Sequence, residues 1–144
     1  TICFAGDAAM EEDYALAALG WAATHKLPIL FVVEDNGLSI LTEKKVRRSW
    51  DITNVAAGFG LWSVGKHTDD PEILYKNIPP LKYWPALINV HTTRLLWHAG
   101  SGCDDPNAFD RHKIVAGSFT HKHITETRNK SETIVREAWV RNAK

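Results

Sequence analysis

Residues 1–37 decide the fold, and they read TICFAGDAAMEEDYALAALGWAATHKLPILFVVEDNG. Residues 1–5 form a short apolar run before a turn, which predicts a buried strand. Residues 11–25 carry Ala and Leu on nearly every side, which predicts a buried helix. Residues 29–33 form a continuous apolar run, typical of a strand covered on both faces of a parallel sheet. Together these segments predict a βαβ unit with two parallel, neighbouring strands.

The remaining sequence continues this alternation. It predicts one α/β domain over residues 1–144, with an open, mostly parallel sheet and helices on both faces. Strands are predicted at residues 61–65 and 86–91, and helices at residues 51–58, at 72–77 and after Ser131 as a cap. The polar, basic stretch 41–50 is interpreted as a loop with solvated charges. Because a buried strand opens the chain without an initiator Met, we expect a fragment of a longer protein with its N-terminal part missing.

The balance of charges argues against two classes of binding protein. Lys and Arg together number 17, as do Asp and Glu, so the chain lacks the basic excess of general nucleic-acid and membrane-surface binders. No apolar run approaches the length of a membrane span. The two cysteines form neither a disulfide framework nor a CxxC pair, which favours a reducing compartment. We therefore expect a cytoplasmic protein, with the mitochondrial matrix left open.

Two oxygen-bearing side chains follow the two neighbouring strands. Asp7 comes directly after the first strand, and Asn36 comes after the second. Ligands of open α/β sheets bind at the carboxyl ends of the strands, so these side chains are expected to converge. Gly37 allows a turn through which the Leu38 carbonyl adds a third oxygen, and the helix beginning near Glu11 favours a phosphate at its N-terminus. A few hard oxygen ligands completed by phosphate predict a Mg2+–diphosphate site.

The same residues resemble the thiamine diphosphate (ThDP) motif, in which Gly-Asp-Gly is followed after a spacer by Asn-Asn. The matching segments are Gly6-Asp7-Ala8-Ala9, Lys26-Leu27-Pro28 and Phe31-Val32-Val33-Glu34-Asp35-Asn36. The resemblance is strongest to the alpha subunit of the 2-oxo acid dehydrogenases. It implies that Asp7, Asn36 and the Leu38 carbonyl bind Mg2+. It also implies that Gly6, Ala8 and Ala9 bind the cofactor, with the backbone of the two alanines facing the diphosphate.

The second half of the chain adds further matches. Residues 69–71 resemble an Asp-Gly-Asn-Asp turn of the family, and residues 85–94 resemble its strand ending in Thr-x-Arg. His98, four residues after Arg94, matches the active-site His of the family, which implies a role in cofactor binding and catalysis. A His near a reacting carbonyl can move protons or stabilise an oxyanion at neutral pH. Asp104-Asp105-Pro106 resembles the Asp-Pro of the loop that follows.

The resemblance covers about residues 1–112 and implies an enzyme that depends on ThDP and Mg2+. Such an enzyme decarboxylates a 2-oxo acid or acts on a ketose-type carbonyl, and the ThDP ring serves as the electron sink. In the family, a Glu on a pyrimidine-binding domain or beta-type subunit activates the cofactor. The 144 residues leave no room for that domain, so the resemblance implies such a partner, a small-molecule carbonyl substrate and a hetero- or homo-oligomer.

Several residues depart from the family pattern. Ala8 replaces a glycine, which is a tighter fit if the position needs a positive φ, and Asp35 replaces the first Asn. Glu11 and Glu12 bring acidic charge that either stabilises the helix start or weakens phosphate binding, and Ala99 replaces a serine that is phosphorylated in mitochondrial members. Three alternatives stay open: a transketolase-like carboligase subunit, a degenerate ThDP fold kept for assembly, and a nucleotide-binding α/β module. The last lacks a GxGxxG or P-loop pattern.

Overall fold

The computed structural model describes residues 1–103 and 107–143, so the predicted Asp-Pro loop match at residues 104–106 lies outside the described residues. The chain divides into two compact units, Thr1–Phe109 and Asp110–Lys144. The strands are β1 (Ile2–Gly6), β2 (Leu30–Asp35), β3 (Leu38–Ser39), β4 (Thr42–Glu43), β5 (Trp62–Lys66) and β6 (Ala86–His91). The α-helices are α1 (Asp13–His25), α2 (Lys44–Arg47), α3 (Ile52–Gly58), α4 (Pro71–Lys76), α5 (Arg111–Gly117) and α6 (His121–Asn142). Short 3-10 helices cover Ala9–Glu11 and Leu81–Tyr83.

The first unit is built on a four-stranded sheet in the order β1-β2-β6-β5. All neighbouring pairs in this sheet are parallel. Gly6 of β1 lies opposite Glu34 of β2, and Asp35 lies opposite His91 of β6. The carboxyl ends of the strands therefore meet at one edge of the sheet. The predicted βαβ unit and the predicted α/β class with a parallel sheet are confirmed.

Successive apolar side chains along the strands pack on opposite faces of the sheet. On one face, Phe31 and Leu87 pack in a buried cluster with Leu19 of α1 and Ile52 of α3. On the other face, a second cluster contains Leu30, Ala86, Ile88 and Val90, with Leu74 of α4 packed against it. Since the side chains of a strand point alternately to the two faces, both faces need a cover of helices. Helices on both faces, as predicted, supply it.

Helix α1 is less buried than its composition predicts. Only Leu19 and Ala22 of this helix are buried, and Trp21 is 64% exposed. The helix contacts the sheet along one stripe, and small alanines on the other sides need no apolar cover. The helix also begins at Asp13, two residues later than expected, because Glu12 has an extended backbone with φ −73° and ψ 145°.

The second unit consists of α5 and α6, and Thr120 rather than Ser131 caps the longer helix. The Thr120 backbone is extended, and its hydroxyl oxygen accepts a hydrogen bond from the His123 backbone N–H at 3.3 Å. Ser131 lies inside α6, so the predicted cap is wrong. No helix among the described residues is long and apolar enough to cross a membrane.

Candidate functional site

Asp7 and Asn36 lie at the carboxyl ends of two neighbouring strands, as the sequence predicts. Asp7 follows β1 directly and is only 2% exposed. Asn36 follows β2, and its Oδ1 accepts a hydrogen bond from the Leu38 backbone N–H at 2.9 Å. The chain turns at Gly37, whose φ of +73° suits a residue without a Cβ. Leu38 therefore stands at the start of β3, two residues beyond Asn36.

The segment after Asp7 accommodates alanine where the ThDP motif has glycine. Ala8 has φ −70° and ψ −34°, an ordinary right-handed conformation. Its carbonyl accepts a hydrogen bond from the Glu11 N–H at 3.1 Å, and Ala9 opens the short 3-10 helix. The position does not need a positive φ, so the replacement of glycine by Ala8 causes no backbone strain.

Arg47 connects the strand-end carboxylate to the acidic run that follows it. Its Nη2 contacts Asp7 Oδ2 at 2.6 Å, and its Nη1 contacts Glu11 Oε1 at 2.5 Å. The Arg47 side chain is 12% exposed and that of Arg48 only 3%. Arg48 Nε lies 3.3 Å from Glu11 Oε1, and the Arg48 guanidinium stacks on the Trp50 ring at 4.4 Å. The prediction that this basic stretch is solvated is therefore wrong for Arg47 and Arg48.

The predicted loop at residues 41–50 is also more ordered than expected. Leu38 and Ser39 pair with Thr42 and Glu43 as a small antiparallel hairpin, and α2 follows directly. This compact turn brings the basic residues of α2 back to the strand ends, where buried carboxylates stabilise them. Pairing of opposite charges explains why these side chains leave the solvent.

Asp35 forms a second buried ion pair beside the first. Its carboxylate accepts hydrogen bonds from Lys44 Nζ at 2.5 Å, from Asn89 Nδ2 at 3.0 Å and from the Gly37 N–H at 3.0 Å. Burial is the largest single influence and raises the pKa of Asp35, but the hydrogen bonds from Lys44, Asn89 and Gly37 together with the charge of Lys44 outweigh it. The pKa of Asp35 consequently lies below its ordinary value, and the side chain stays ionised at neutral pH.

Other polar groups lie at the same edge or near the hairpin. The rings of His67, directly after β5, and His91, at the end of β6, are 4.4 Å apart. Arg94 donates from Nη1 to the Ile40 carbonyl at 2.6 Å. His98 is exposed and lines a cleft with Ile40, Leu41, Trp97 and Ala99. The structure thus brings His98 to the hairpin turn, and neither Asp7 nor Asn36 lines that cleft.

Comparison with known proteins assigns this arrangement to a family. Residues 1–130 match the family model described as the dehydrogenase E1 component. The chain belongs to this family. It is 32% identical over 114 residues to the mitochondrial 2-oxoisovalerate dehydrogenase subunit alpha of Caenorhabditis elegans. The match covers 75% of this chain and 26% of that relative, so the E1 chain spans about a quarter of the relative's length.

Solved structures of transketolases share the fold of this E1 chain. The transketolase of Campylobacter jejuni matches with a TM-score of 0.57 and 22% identity, over 63% of this chain and 15% of the transketolase chain. The transketolase of Leishmania mexicana matches with a TM-score of 0.53 and 17% identity, over 65% and 15% of the two chains. At these identities the likeness concerns the fold alone.

Sequence reasoning missed the cations that surround the strand-end carboxylates of this E1 chain. The sequence alone predicts that Lys44, Arg47 and Arg48 are solvated, and it predicts that Glu11 either stabilises the helix start or weakens phosphate binding. The one available signal was the presence of an acidic run after Asp7 and a basic run after Asn36 in a chain without net charge. Oppositely charged runs that both follow the strand ends indicate mutual pairing.

Proposed function

We propose that this chain is the part of a ThDP-dependent, 2-oxo acid dehydrogenase-type enzyme that holds Mg2+ and the diphosphate of the cofactor. The observation that carries the proposal is the placement of Asp7 and Asn36 at adjacent strand ends in a chain of the dehydrogenase E1 component family. The named activity of the C. elegans relative supports a 2-oxo acid as the substrate class. The proposed ThDP-binding domain covers residues 1–144.

The residues present fit a magnesium–diphosphate group. Asp7 is a buried carboxylate that is already paired with a cation, so the position suits a positive ion. The Asn36 side-chain oxygen uses one of its two lone pairs on the Leu38 N–H, which leaves the other for a metal. Asp7, Asn36 and the Leu38 carbonyl would hold Mg2+ through oxygen, the ligand type that this ion prefers.

The remaining motif residues would orient the cofactor and the substrate. ThDP, when bound, supplies a carbon nucleophile and an electron sink for decarboxylation. The backbone of Gly6, Ala8 and Ala9 would approach the diphosphate, since these small side chains leave the backbone accessible. His98 would exchange a proton with the substrate carbonyl oxygen, a role that an imidazole ring can perform as acid or base.

The proposed active site needs a second component. We place the activating Glu on a pyrimidine-binding domain or a beta-type subunit, which makes the functional unit a hetero- or homo-oligomer. The C. elegans relative, of which the match covers about a quarter, is named an alpha subunit. That name supports an assembly of several subunits for this chain as well. The name of that relative gives a mitochondrial location, which supports the mitochondrial alternative to the cytoplasmic location expected from the sequence.

The test is to purify the native assembly, denature it and identify the released small molecules and the co-purifying chains by mass spectrometry. We expect near-stoichiometric ThDP in the wild type, none in Asp7→Ala, and an unchanged amount in Glu12→Ala. Glu12 is the matched control because it is an exposed carboxylate nearby that forms no cap hydrogen bond. Asp7→Asn preserves the side-chain shape and should lose ThDP as well. Absence of ThDP from the wild type, even after addition with Mg2+ and the partner, would refute the proposal.

One observation favours a second candidate, a degenerate ThDP fold kept for assembly. Arg47 contacts Asp7 Oδ2 at 2.6 Å, so it occupies a carboxylate oxygen that the proposal above assigns to Mg2+. A scaffold of this kind would bind its partner chain without ThDP. The same mass spectrometry experiment separates the candidates, because a partner recovered without any ThDP supports the scaffold.

A further inference from the structure

Arg47 links the carboxylates of Asp7 and Glu11. Its guanidinium reaches Asp7 at 2.6 Å with Nη2 and Glu11 at 2.5 Å with Nη1. The side chains of Arg47, Asp7 and Glu11 are 12%, 3% and 19% exposed, so the ion pairs are partly shielded from water. Charge-assisted hydrogen bonds of this type are strong, and a buried carboxylate that loses its cation is strongly destabilised. Asp7 is therefore held by protein charge before any metal arrives.

The same arginine pair retains donors that no carboxylate uses. Arg47 Nε and Arg48 Nη1 are buried N–H groups without a hydrogen-bond acceptor in the described part of the chain, whereas Arg48 Nε lies 3.3 Å from Glu11 Oε1. The Arg48 side chain is 3% exposed, and stacking on Trp50 fixes its plane. Buried donors are normally satisfied, because an unsatisfied donor costs the full loss of its hydration. These two donors therefore indicate an anion with several acceptor oxygens beside Asp7 and Glu11.

We infer that Arg47 is an exchangeable cation: it occupies Asp7 in the metal-free protein, and it moves to the diphosphate oxygens when Mg2+ takes Asp7. Arg48 stays on the Trp50 ring and donates from its free Nη1 to the same diphosphate. The inference rests on the proposed function and adds two residues and an order of events to it. A planar guanidinium suits this exchange, because it binds carboxylate and phosphate with the same fork of donors.

The exchange predicts effects of opposite sign from one substitution. In Arg47→Gln, Asp7 loses its competing cation, so Mg2+ alone should bind at least about tenfold more tightly than in the wild type. Inorganic pyrophosphate at saturating Mg2+ should bind at least about tenfold more weakly, because one guanidinium is missing. In Arg48→Gln only the pyrophosphate affinity should fall, since Arg48 contacts Glu11 and not Asp7. A purely structural role for Arg47 would change both affinities in the same direction.

The measurement is calorimetric titration of the native assembly after removal of bound cofactor by dialysis against a chelator. Lys45→Gln is the matched control, because Lys45 belongs to the same helix, is 78% exposed and pairs with Glu43 at the surface. It removes one positive charge and should change neither affinity. Arg47→Lys provides a second variant in case the Gln variant fails to fold. Its ammonium keeps the positive charge but lacks the planar fork of donors that reaches Asp7 and Glu11 together, so its Mg2+ affinity should lie between those of wild type and Arg47→Gln.

Two results would overturn the inference. Unchanged or weaker Mg2+ binding in both Arg47 variants would show that Arg47 does not compete for Asp7. Unchanged pyrophosphate binding in Arg47→Gln and Arg48→Gln would show that the arginines do not bind the diphosphate. In either case ThDP binding by the wild type would leave the proposed function intact. Failure of the wild type and of every variant to bind ThDP, Mg2+ and pyrophosphate would refute both.

Discussion

Replacement of Asp35 by Asn removes a buried charge next to Asn36 of the candidate site and preserves the shape of the side chain. The carboxylate of Asp35 accepts three hydrogen bonds, from Lys44, Asn89 and Gly37. An Asn side chain has one carbonyl oxygen in place of two carboxylate oxygens, so it can retain only part of this set. Lys44 loses its counter-charge, and we expect the folded state to be destabilised although the substitution restores the residue of the family motif.

The contacts of Lys44 set the magnitude of this loss. Removal of one member of a fully buried ion pair costs about 3–5 kcal/mol, and a hydrogen bond to a charged group contributes about 1.5–3 kcal/mol. The Lys44 side chain is 30% exposed, so its ammonium can turn to water when the partner is lost. The lower range therefore applies, and we expect the free energy of unfolding to fall by about 2 kcal/mol.

Urea denaturation of a double-mutant cycle measures this coupling. The cycle compares wild type, Asp35→Asn, Lys44→Met and the double variant at pH 7, and we expect an interaction energy of about 1–2 kcal/mol. The pKa of Asp35 in the folded protein lies below the unfolded value of about 3.9. Its contribution to stability is therefore complete above about pH 4 and is lost as the pH falls through the folded pKa. Asp35→Asn should lack this part of the acid dependence.

Two results would refute the reasoning about Asp35. An interaction energy below about 0.5 kcal/mol would mean that the Lys44–Asp35 contact contributes little to stability, as with exposed ion pairs. Parallel stability curves of wild type and Asp35→Asn between about pH 4 and pH 2 would mean that Asp35 does not have a lowered pKa. Glu43→Gln is a suitable control, because Glu43 pairs with Lys45 at the surface.

Three further predictions test the local structure. Ala8→Gly should lower the free energy of unfolding by about 0.5–1 kcal/mol in urea denaturation, because φ is already −70° at this position. A stabilising effect of Ala8→Gly would contradict the assigned backbone conformation. Gly37→Ala should lower the free energy of unfolding by about 1–2 kcal/mol, because Gly37 has φ +73°. Thr120→Ala should destabilise α6 by about 0.5–2 kcal/mol, because Thr120 caps the helix. Ser131→Ala should not destabilise it, because Ser131 lies in the helix interior. Amide hydrogen exchange at the start of α6 distinguishes the two variants.

The sequence was sufficient to predict the sheet and the position of Asp7 and Asn36, because these depend on local patterns. A continuous apolar run specifies a buried strand. Parallel strands then place their carboxyl ends at the same edge of the sheet, independently of the contacts that the side chains make. The contacts of Arg47 were not predictable in this way, since they join residues 40 positions apart through the particular turn made by β3, β4 and α2. The cap of α6 was misplaced for a different reason, because Ser131 and Thr120 both have the chemistry of a cap and only the backbone conformation separates them.

The charges around the strand ends balance, and this balance constrains how a metal can enter. Within residues 1–103 and 107–143, the paired groups there are three carboxylates and three cations: Asp7, Glu11 and Asp35, with Lys44, Arg47 and Arg48. Mg2+ alone would add two positive charges to a neutral and largely buried cluster, which is unfavourable in a medium of low dielectric constant. A diphosphate that arrives with the metal compensates this charge and accepts the guanidinium that the metal displaces. Metal and diphosphate are therefore expected to bind cooperatively, and each should raise the affinity for the other by the same factor.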